Sequence, residues 1–560
     1  MRRVLLLLAA LSLFVQGCDG GKKSVHAITA ATRRIPEEAD ATGWPEEQPP
    51  EEDASAWPEG PPVSETGNVS TILNAAGSAG YIEAYTGKKS YLPGETVNFH
   101  VSTTAATYSI EILKEAWTRT IIDKVVDLPG TYHATPAAEQ QPWRGAGWPV
   151  SYSWVVPPEW ENGSYLARFR TTSGDSAYTY HPFIVRTVVP GSRSKVAFVM
   201  NYNTRNAYNT WGGKSLYYTR VSGDKHKAVA VSFLRPFAES AGKGKNYWGQ
   251  WELTSQLLAD GFDPEFLTEW DIHANPAILR AYDVLVFAGH HEYISCPIYD
   301  ALEAHHHRGG HMAFFSANDI WWQVRYEDNG DLMVCYKAYA PYEDPIRGIN
   351  DSLLTTHWHV PPVSRPGAAL QGISYIAYSY YFEREDFIVQ DSSHWIFEGT
   401  DLTEGDALGS LMASGETDDV TSDSPAIMDV ILKARRDRPR PKYDPPVEHV
   451  NCAAVYYADS PAYGFPDGRG GQVFSAGTHE GWGDSIGSWS PGYQTVRKVT
   501  RNIIQHMVDS PPPHPDVQDL AAFLSRWLDE CVSPDWCGYA DSDMSGTVDM
   551  ADFAHFAEPW

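Results

Sequence analysis

The sequence predicts a multidomain chain in which an immunoglobulin-like β-sandwich is followed by an α/β domain with a parallel sheet and a small α-helical tail. Residues 80–189 contain short alternating apolar and polar runs between turn residues, a pattern typical of sandwiches. Residues 190–509 alternate buried-strand runs with segments of helical spacing, which indicates parallel strands joined by crossovers. Residues 510–560 begin with a proline linker and continue as a compact helical segment.

The N-terminal residues 1–18 have the pattern of a bacterial lipoprotein signal peptide. Two arginines precede an apolar stretch that is too short for a stable bilayer anchor, and the stretch ends at Gly17-Cys18. We predict a lipidated Cys18 that tethers the chain to the membrane on the extracytoplasmic side of the cell envelope. An ordinary secretory signal with a chance cysteine is the alternative. Residues 19–79 are rich in proline and glutamate and predict a disordered linker.

Charge and cysteine usage narrow the function classes. The 560 residues carry a net charge of −28, which argues against nucleic-acid binding because that function needs a basic surface. Cys531 and Cys537 are close enough in sequence to form a local disulfide after export. The chain has no CxxC motif, so the remaining cysteines are interpreted as buried apolar residues.

The predicted elements follow the chain in a regular order. In the sandwich, strands are predicted within residues 91–101, 109–113, 163–170 and 182–186. In the α/β domain, strands are predicted at 195–200, 266–267, 282–288, 311–316 and 471–476, and helices at 249–260, 276–281, 297–307 and 493–508. A long irregular insertion is expected between residues 330 and 450.

The strand at residues 282–288 is the centre of this pattern. Its residues 284–288 are continuously apolar, as a parallel strand buried on both faces should be, and they run into Gly289, His290, His291 and Glu292. Open α/β sheets present their active groups at the carboxyl ends of the strands. His290 and Glu292 are therefore candidate site residues, together with Asn318 after the next strand and Glu416 further along.

Three generic motifs in this domain are weaker indications of function. A zincin helix is excluded because Ser295 stands where a second histidine is required. Ser485 lies in a GxSxG pattern, but no strand directly precedes it, which argues against a nucleophile elbow. The run His305-His306-His307 could hold a transition metal, although such a run is more often the solvated end of a helix.

A loop in the tail has the spacing of a calcium site. Its side-chain oxygens come from Asp541, Asp543, Ser545, Asp549 and Asp552, with the carbonyl of Thr547 between them and Gly546 permitting the sharp turn. The final aspartate and the helix after it resemble a dockerin repeat. The resemblance implies a bound Ca²⁺ and a cohesin-like partner module.

The segment after the first strand of the α/β domain is rich in tyrosine. Tyrosinate and carboxylate oxygens together are a hard ligand set that suits Fe³⁺. The whole of residues 82–509 resembles the large (beta) subunit of bacterial N,N-dimethylformamidase. The resemblance rests on spaced motifs, among them Asn206-Ala207-Tyr208-Asn209, Gly213-Lys214-Ser215-Leu216-Tyr217, Val231-Ser232-Phe233-Leu234-Arg235-Pro236, Gly289-His290-His291-Glu292-Tyr293, Trp322-Gln323-Val324-Arg325 and Ala476-Gly477-Thr478.

The resemblance implies a glutamine amidotransferase-like α/β domain and one iron held by two tyrosines and a glutamate. Glu292 matches the glutamate and Tyr208 one tyrosine. The second is Tyr217, unless the family ligand follows the Arg-Pro pair, where this chain has Phe237.

His290, Asn318 and Glu416 match the other active-site positions of that family. The implied activity is iron-assisted hydrolysis of a small amide, in which these residues handle the proton and the oxyanion. The alternative function is a non-catalytic surface-binding or scaffold protein. This alternative is supported by the β-sandwich, by the dockerin-like tail, and by the chain's 20 tryptophans and 31 tyrosines, which could stack on carbohydrate.

Overall fold

The computed structural model describes residues 80–557, apart from residues 117, 175, 380–383, 440–446, 459–469, 513–516 and 534–535. The predicted signal peptide and linker, residues 1–79, lie outside the described residues. All described residues belong to one compact unit. Within this part of the chain, no helix combines the length and the apolarity needed to cross a bilayer.

The first part of the described chain forms two sheets around one core. One sheet has the strand order β1-β3-β6 and the other β2-β8-β7-β4-β5. Phe99 of the first sheet and Phe169 and Phe183 of the second are fully buried in the same cluster. All four predicted strand regions form strands, because their alternation sends every second residue into this core. The strands β1 to β8 are Ile82–Thr86, Ser90–Tyr91, Thr96–Thr103, Thr107–Lys114, Thr120–Pro129, Tyr152–Val155, Gly163–Thr171 and Tyr178–Val185.

The remaining strands form a nine-stranded mixed sheet and two smaller sheets. The large sheet has the order β11-β9-β12-β14-β23-β22-β21-β18-β19. Its first five strands are parallel and the others pair antiparallel. The strands β9 to β23 are Val196–Met200, Ala230–Ser232, Glu265–Thr268, Val284–Ala288, Tyr293–Ser295, His311–Phe315, Trp322–Glu327, Leu332–Val334, Ser374–Ser379, Glu385–Val389, Ala407–Ala413, Gly415–Asp419, Asp429–Pro439, Val447–Ala458 and Gln472–Ser475.

The parallel strands are covered on both faces. In β9 and β12, Phe198 and Val286 join one hydrophobic cluster, while Val199 and Phe287 join the other. Successive side chains of a strand point to opposite faces, so a strand with two buried faces must be apolar throughout. This is why the continuous apolar runs predicted these strands correctly.

Helices pack on the two faces of this sheet. The predicted helices at 249–260, 297–307 and 493–508 are present, and the first is capped at its C-terminus by Gly261, which has a φ of 86°. The predicted helix at Pro276–Ala281 is a 3₁₀ helix, and a short α-helix before it was missed. The α-helices are Tyr202–Tyr208, Tyr247–Asp260, Glu269–Ala274, Cys296–His307, Ala340–Glu343, Ala368–Gln371, Gly481–Ile486, Tyr493–Val508, Val517–Ser525, Trp536–Tyr539 and Met550–Ala557.

The expectation of an irregular insertion between residues 330 and 450 was wrong. This region supplies β18, β19 and β21, which extend the large sheet, and β22 begins at its end. In β21, Leu432 and Ala434 are buried while Lys433 and Arg435 are exposed. This half-buried antiparallel pattern differs from the continuous apolar runs of the parallel strands.

The tail contacts the α/β domain directly. A disulfide joins Cys531 and Cys537, which confirms the predicted pair. The indole N–H of Trp536 donates to the carboxylate of Asp300 at 3.0 Å, and Asp300 lies on the helix Cys296–His307. The tail is therefore held on the helix that follows the central strand.

Candidate functional site

The predicted site residues meet where the strand order of the parallel sheet reverses. β9 comes first in the chain, β11 lies on one side of it and β12 on the other. The crevice outside such a switch point is where open α/β sheets bind ligands. The helix Tyr202–Tyr208 follows β9, His290 and Glu292 follow β12, Asn318 follows β14, and Glu416 arrives on the separate strand β20.

Glu292 is the centre of the site and is fully buried. The Tyr208 hydroxyl donates to Glu292 Oε2 at 3.2 Å, and the Tyr217 hydroxyl donates to Oε1. The Trp322 indole N–H also donates to Oε1, at 2.9 Å, and His290 Nε2 lies 3.1 Å from Oε2. Each carboxylate oxygen is therefore contacted by two side chains, which compensates for burying the charge.

The turn after β12 holds His290 in an uncommon backbone conformation. Gly289 and His290 have φ values of 73° and 82°, a region that non-glycine residues rarely occupy. The ring is fixed by Nδ1, which lies 2.7 Å from the carbonyl oxygen of Ala317. Nε2 then lies between two carboxylates, 3.1 Å from Glu292 Oε2 and 2.9 Å from Glu416 Oε2. Strain of this kind is retained when the surrounding structure enforces it, and it is concentrated at functional sites.

Asn318 is held by two carboxylates of the same strand. Its side-chain N–H donates to Glu416 Oε2 at 2.9 Å. Its backbone N–H donates to both oxygens of Asp418, at 2.8 and 3.0 Å, and its own φ is 51°. Glu416 and Asp418 are two residues apart on β20, so both point to the same face.

The two tyrosines form a stacked pair between two lysines. The rings of Tyr208 and Tyr217 are 4.1 Å apart with an interplanar angle of 14°. Lys245 Nζ lies 4.2 Å from the ring centroid of Tyr208, and Lys337 Nζ lies 3.2 Å from that of Tyr217. The gap between the rings is too narrow for an ammonium group, so each lysine lies on an outer face. The electron-rich ring faces attract both cations.

The charges at the site reinforce one another. Burial lowers the pKa of His290, but Glu416 and Glu292 outweigh that effect and raise it well above the usual value. Burial raises the pKa of Glu292, but His290 and Lys337 outweigh it and lower the pKa. Burial, followed by the charge of Glu292, raises the phenol pKa of Tyr208 and Tyr217 well above 10. The phenols therefore act here as donors to an ionised Glu292.

The donor set fits the ferric ion that the resemblance implies. Two phenol oxygens and one carboxylate converge in a buried space, and hard oxygen ligands of this kind suit Fe³⁺. Tyr217, and not the residue after the Arg-Pro pair, reaches Glu292. Phe237 stacks on His181 at 5.3 Å. Its lack of a hydroxyl therefore removes no ligand from this cluster.

Several residues that contact the site residues were not predicted from the sequence. Trp322 was noted only within a motif, and Lys245, Lys337 and Asp418 carried no local signal. The ring of His479 is tilted at 34° to that of His290, with the centroids 4.4 Å apart. His479 follows β23, so its position after a strand end could have identified it.

Other motif residues lie outside this cluster. His291 Nδ1 lies 3.2 Å from Glu269 Oε1. His305 is 1% exposed and its Nε2 lies 3.2 Å from the His311 carbonyl oxygen, so this part of the histidine run is buried in the fold and not solvated. Ser485 lies on the helix Gly481–Ile486, which is not the strand-to-helix turn of a nucleophile elbow.

The loop in the tail brings acidic oxygens together. Ligand oxygens of Asp541, Asp543 and Asp552 lie within 4.8 Å of one another. Asp541 accepts the backbone N–H groups of Ser545 and Gly546 at 3.0 and 2.8 Å, and Ser545 Oγ lies 3.3 Å from the Thr547 carbonyl oxygen. Asp552 Oδ2 accepts the backbone N–H of Asp549 at 2.9 Å. Burial, with its acidic neighbours, raises the pKa of Asp541 to about 6.

The fold and the site together define an α/β protein with a buried tyrosine–carboxylate cluster at the switch point of its sheet. A sequence model of the family described as N,N-dimethylformamidase beta subunit-like, C-terminal, matches residues 110–493. The match covers more than half of the chain, and the chain belongs to this family.

Two curated relatives are the N,N-dimethylformamidase beta subunits of Paracoccus aminophilus and Alcaligenes sp. Each is 24% identical over 409 residues, which cover 64% of this chain and 50% of the relative. The chain thus spans about half the length of these relatives. A cycloisomaltooligosaccharide glucanotransferase structure from Paenibacillus sp. matches 38% of this chain and 39% of its own, with 11% identity and a TM-score of 0.14, and it carries no argument about the fold.

Proposed function

We propose that this chain is a hydrolase that resembles N,N-dimethylformamidase and cleaves small amide or related C–N bonds. The observation that carries the proposal is the convergence of Tyr208, Tyr217 and His290 on the buried carboxylate of Glu292. In this proposal the tyrosines and Glu292 hold one Fe³⁺. When bound, the ion would supply Lewis-acid polarisation of the amide carbonyl or a lowered pKa of a water ligand.

The remaining residues have separate roles in the proposed reaction. Glu416 and His290 lie 2.9 Å apart and would hold and transfer the proton that moves from water to the departing amine. Asn318 would donate to the oxyanion that develops on the carbonyl oxygen. An amide NH₂ group carries two N–H donors, so Asn318 can serve Glu416 and the oxyanion together.

We also propose the finer fold and location that the sequence suggests. These are an immunoglobulin-like sandwich, a glutamine amidotransferase-like α/β domain, and attachment to the extracytoplasmic face of the bacterial envelope through a lipid on Cys18. The disulfide between Cys531 and Cys537 supports an oxidising compartment outside the cytoplasm.

For the tail we propose a dockerin-like calcium site at residues 541–552. Three aspartates present oxygens within one small volume, which supports a Ca²⁺ ion held by Asp541, Asp543, Ser545, Asp549, Asp552 and the carbonyl of Thr547. A cohesin-like module remains the proposed partner.

The decisive test measures iron and hydrolysis on the same preparations. Wild type should carry about one iron per chain, as a single-metal site requires, and should hydrolyse short-chain amides. Glu292→Gln should lose both the iron and the activity. Glu303→Gln is the matched control. Glu303 lies on the helix Cys296–His307, outside the site, and its partly buried carboxylate pairs with Arg365.

A folded wild type without iron or amidase activity would overturn the proposal. It would favour the alternative of a non-catalytic surface-binding protein, to be tested with oligosaccharides.

A further inference from the structure

A column of aromatic rings leads from the candidate site to the protein surface. Trp322, whose indole donates to Glu292, is buried, and the ring of His357 stacks on it with centroids 3.7 Å apart at 25°. His359 stacks on His357 in turn, at 5.2 Å and 28°. Exposure rises along the column, because His357 is half-buried and His359 is exposed.

Two further rings widen the column at its outer end. Trp321 contacts His357 edge-on at 4.9 Å and lies 4.8 Å from His359. Tyr375 contacts Trp321 edge-on at 5.4 Å. Trp321, His357, His359 and Tyr375 are called the aromatic shelf below, and all four are at least partly exposed.

The backbone fixes the shelf relative to the reacting groups. The backbone N–H groups of Trp321 and Trp322 both donate to the carbonyl oxygen of Glu292, at 3.0 and 2.8 Å. Trp322 and His357 also form an isolated antiparallel β-bridge. The shelf therefore starts one ring away from the carboxylate at the centre of the site, and backbone hydrogen bonds join its inner end to Glu292.

The shelf presents uncharged ring faces. Burial lowers the pKa of His357 to about 3, and burial also lowers the pKa of His359. Both imidazoles are consequently neutral at neutral pH. Flat, neutral rings that are partly exposed suit offset or edge-on stacking with another planar ring.

We propose that the aromatic shelf binds an aromatic ring of the substrate, so that the substrate class is amides bearing an aryl group. This inference rests on the proposed amidase function for the reaction, but the binding it describes does not depend on catalysis. An amide with its carbonyl beside Glu292, Glu416 and Asn318 would extend its ring outward along the shelf. Small dialkyl amides would leave the shelf unused.

The test compares two formamides that share the same reacting group. N-benzylformamide carries an aryl ring and N,N-dimethylformamide does not. Wild type should bind the benzyl compound more tightly, and Trp321→Ala and His359→Ala should each weaken that binding by about two- to tenfold, the range expected for one aromatic contact. Binding of the dimethyl compound should not change. Tyr132→Ala is the control, because Tyr132 is 44% exposed and lies outside the shelf.

Binding is measured by ligand-observed NMR and hydrolysis by release of formate. Shelf-dependent binding of the benzyl compound without hydrolysis supports the shelf and overturns the proposed amidase. Hydrolysis of both formamides with no aryl preference, and no effect of the shelf variants, keeps the amidase and overturns the shelf. If the shelf variants weakened the binding of both formamides equally, the shelf residues would have only a structural role, and the proposed aryl-binding role of the shelf would also be overturned.

Discussion

Replacing Glu416 with glutamine should separate catalysis from metal binding. Glu416 Oε2 accepts the side-chain N–H of Asn318 and lies 2.9 Å from His290 Nε2, but among the described residues it forms no hydrogen bond with either tyrosine. Glutamine has the same shape and keeps a carbonyl oxygen for both neighbours. It loses the negative charge and cannot take up a proton.

The structure sets the size of the two expected effects. Exchanging a charged acceptor for a neutral one weakens each hydrogen bond by about 1 kcal/mol, so the folded state should survive. The loss of general acid–base catalysis lowers kcat by about 10²- to 10⁴-fold. The metal content should remain at the wild-type level, because Tyr208, Tyr217 and Glu292 are unchanged.

The assay combines metal analysis, thermal unfolding and steady-state hydrolysis of a short-chain amide. Glu480→Gln serves as the control. It makes the same chemical change on a nearby carboxylate, which pairs with Arg384 at 3.1 Å. Glu480→Gln should keep kcat within a few-fold of wild type. If Glu416→Gln kept its metal and its kcat stayed within a few-fold of wild type as well, the proton-transfer role of Glu416 would be refuted.

Further predictions concern the supports of the site and the tail. Trp322→Phe removes one hydrogen-bond donor to the buried Glu292. It should lower the free energy of unfolding, measured by denaturant titration, by about 1.5–3 kcal/mol, which is the cost of a lost hydrogen bond to a charged group. An unchanged denaturation midpoint would contradict this. Burial raises the pKa of Asp418, so the proton it retains stabilises the fold at low pH, and that stability is lost as the pH rises through the raised pKa. The melting temperature of Asp418→Asn relative to wild type should therefore increase with pH, and a pH-independent difference would exclude this. Calcium at about 100 times its dissociation constant should stabilise the tail by about 2.7 kcal/mol in calorimetry. Asp541→Ala should abolish that gain, and an equal gain in the variant would rule out the loop as the site.

The parallel strands could be predicted from the sequence because burial of both faces leaves a continuous apolar run within each strand. β12 is buried on both faces, so its whole run is apolar, and the same holds for β9 and for the residues of β14 that follow His311. The antiparallel strands β18 and β21 gave no comparable signal. Their alternation is half polar, and their place in the sheet is fixed by pairing with distant strands.

The residues of the candidate site also fall into those that the local sequence predicts and those that it does not. Groups at strand ends were predictable, since His290 and Asn318 come directly after apolar runs that mark parallel strands. Lys245 and Lys337 were not, because each reaches its tyrosine from a segment whose own sequence has no periodic pattern. Their positions follow from tertiary packing, which a single sequence does not encode in any local window.

The positions of the candidate site residues along the chain lead to a prediction about iron binding by the purified chain alone. Tyr208, Tyr217, His290, Glu292, Asn318 and Glu416 all lie inside the matched residues 110–493, and every contact that joins them is made within this one chain. If hydrolysis were to require another subunit, iron binding should still occur in the purified chain alone. Loss of iron in Glu292→Gln thus tests the site independently of the reaction it serves.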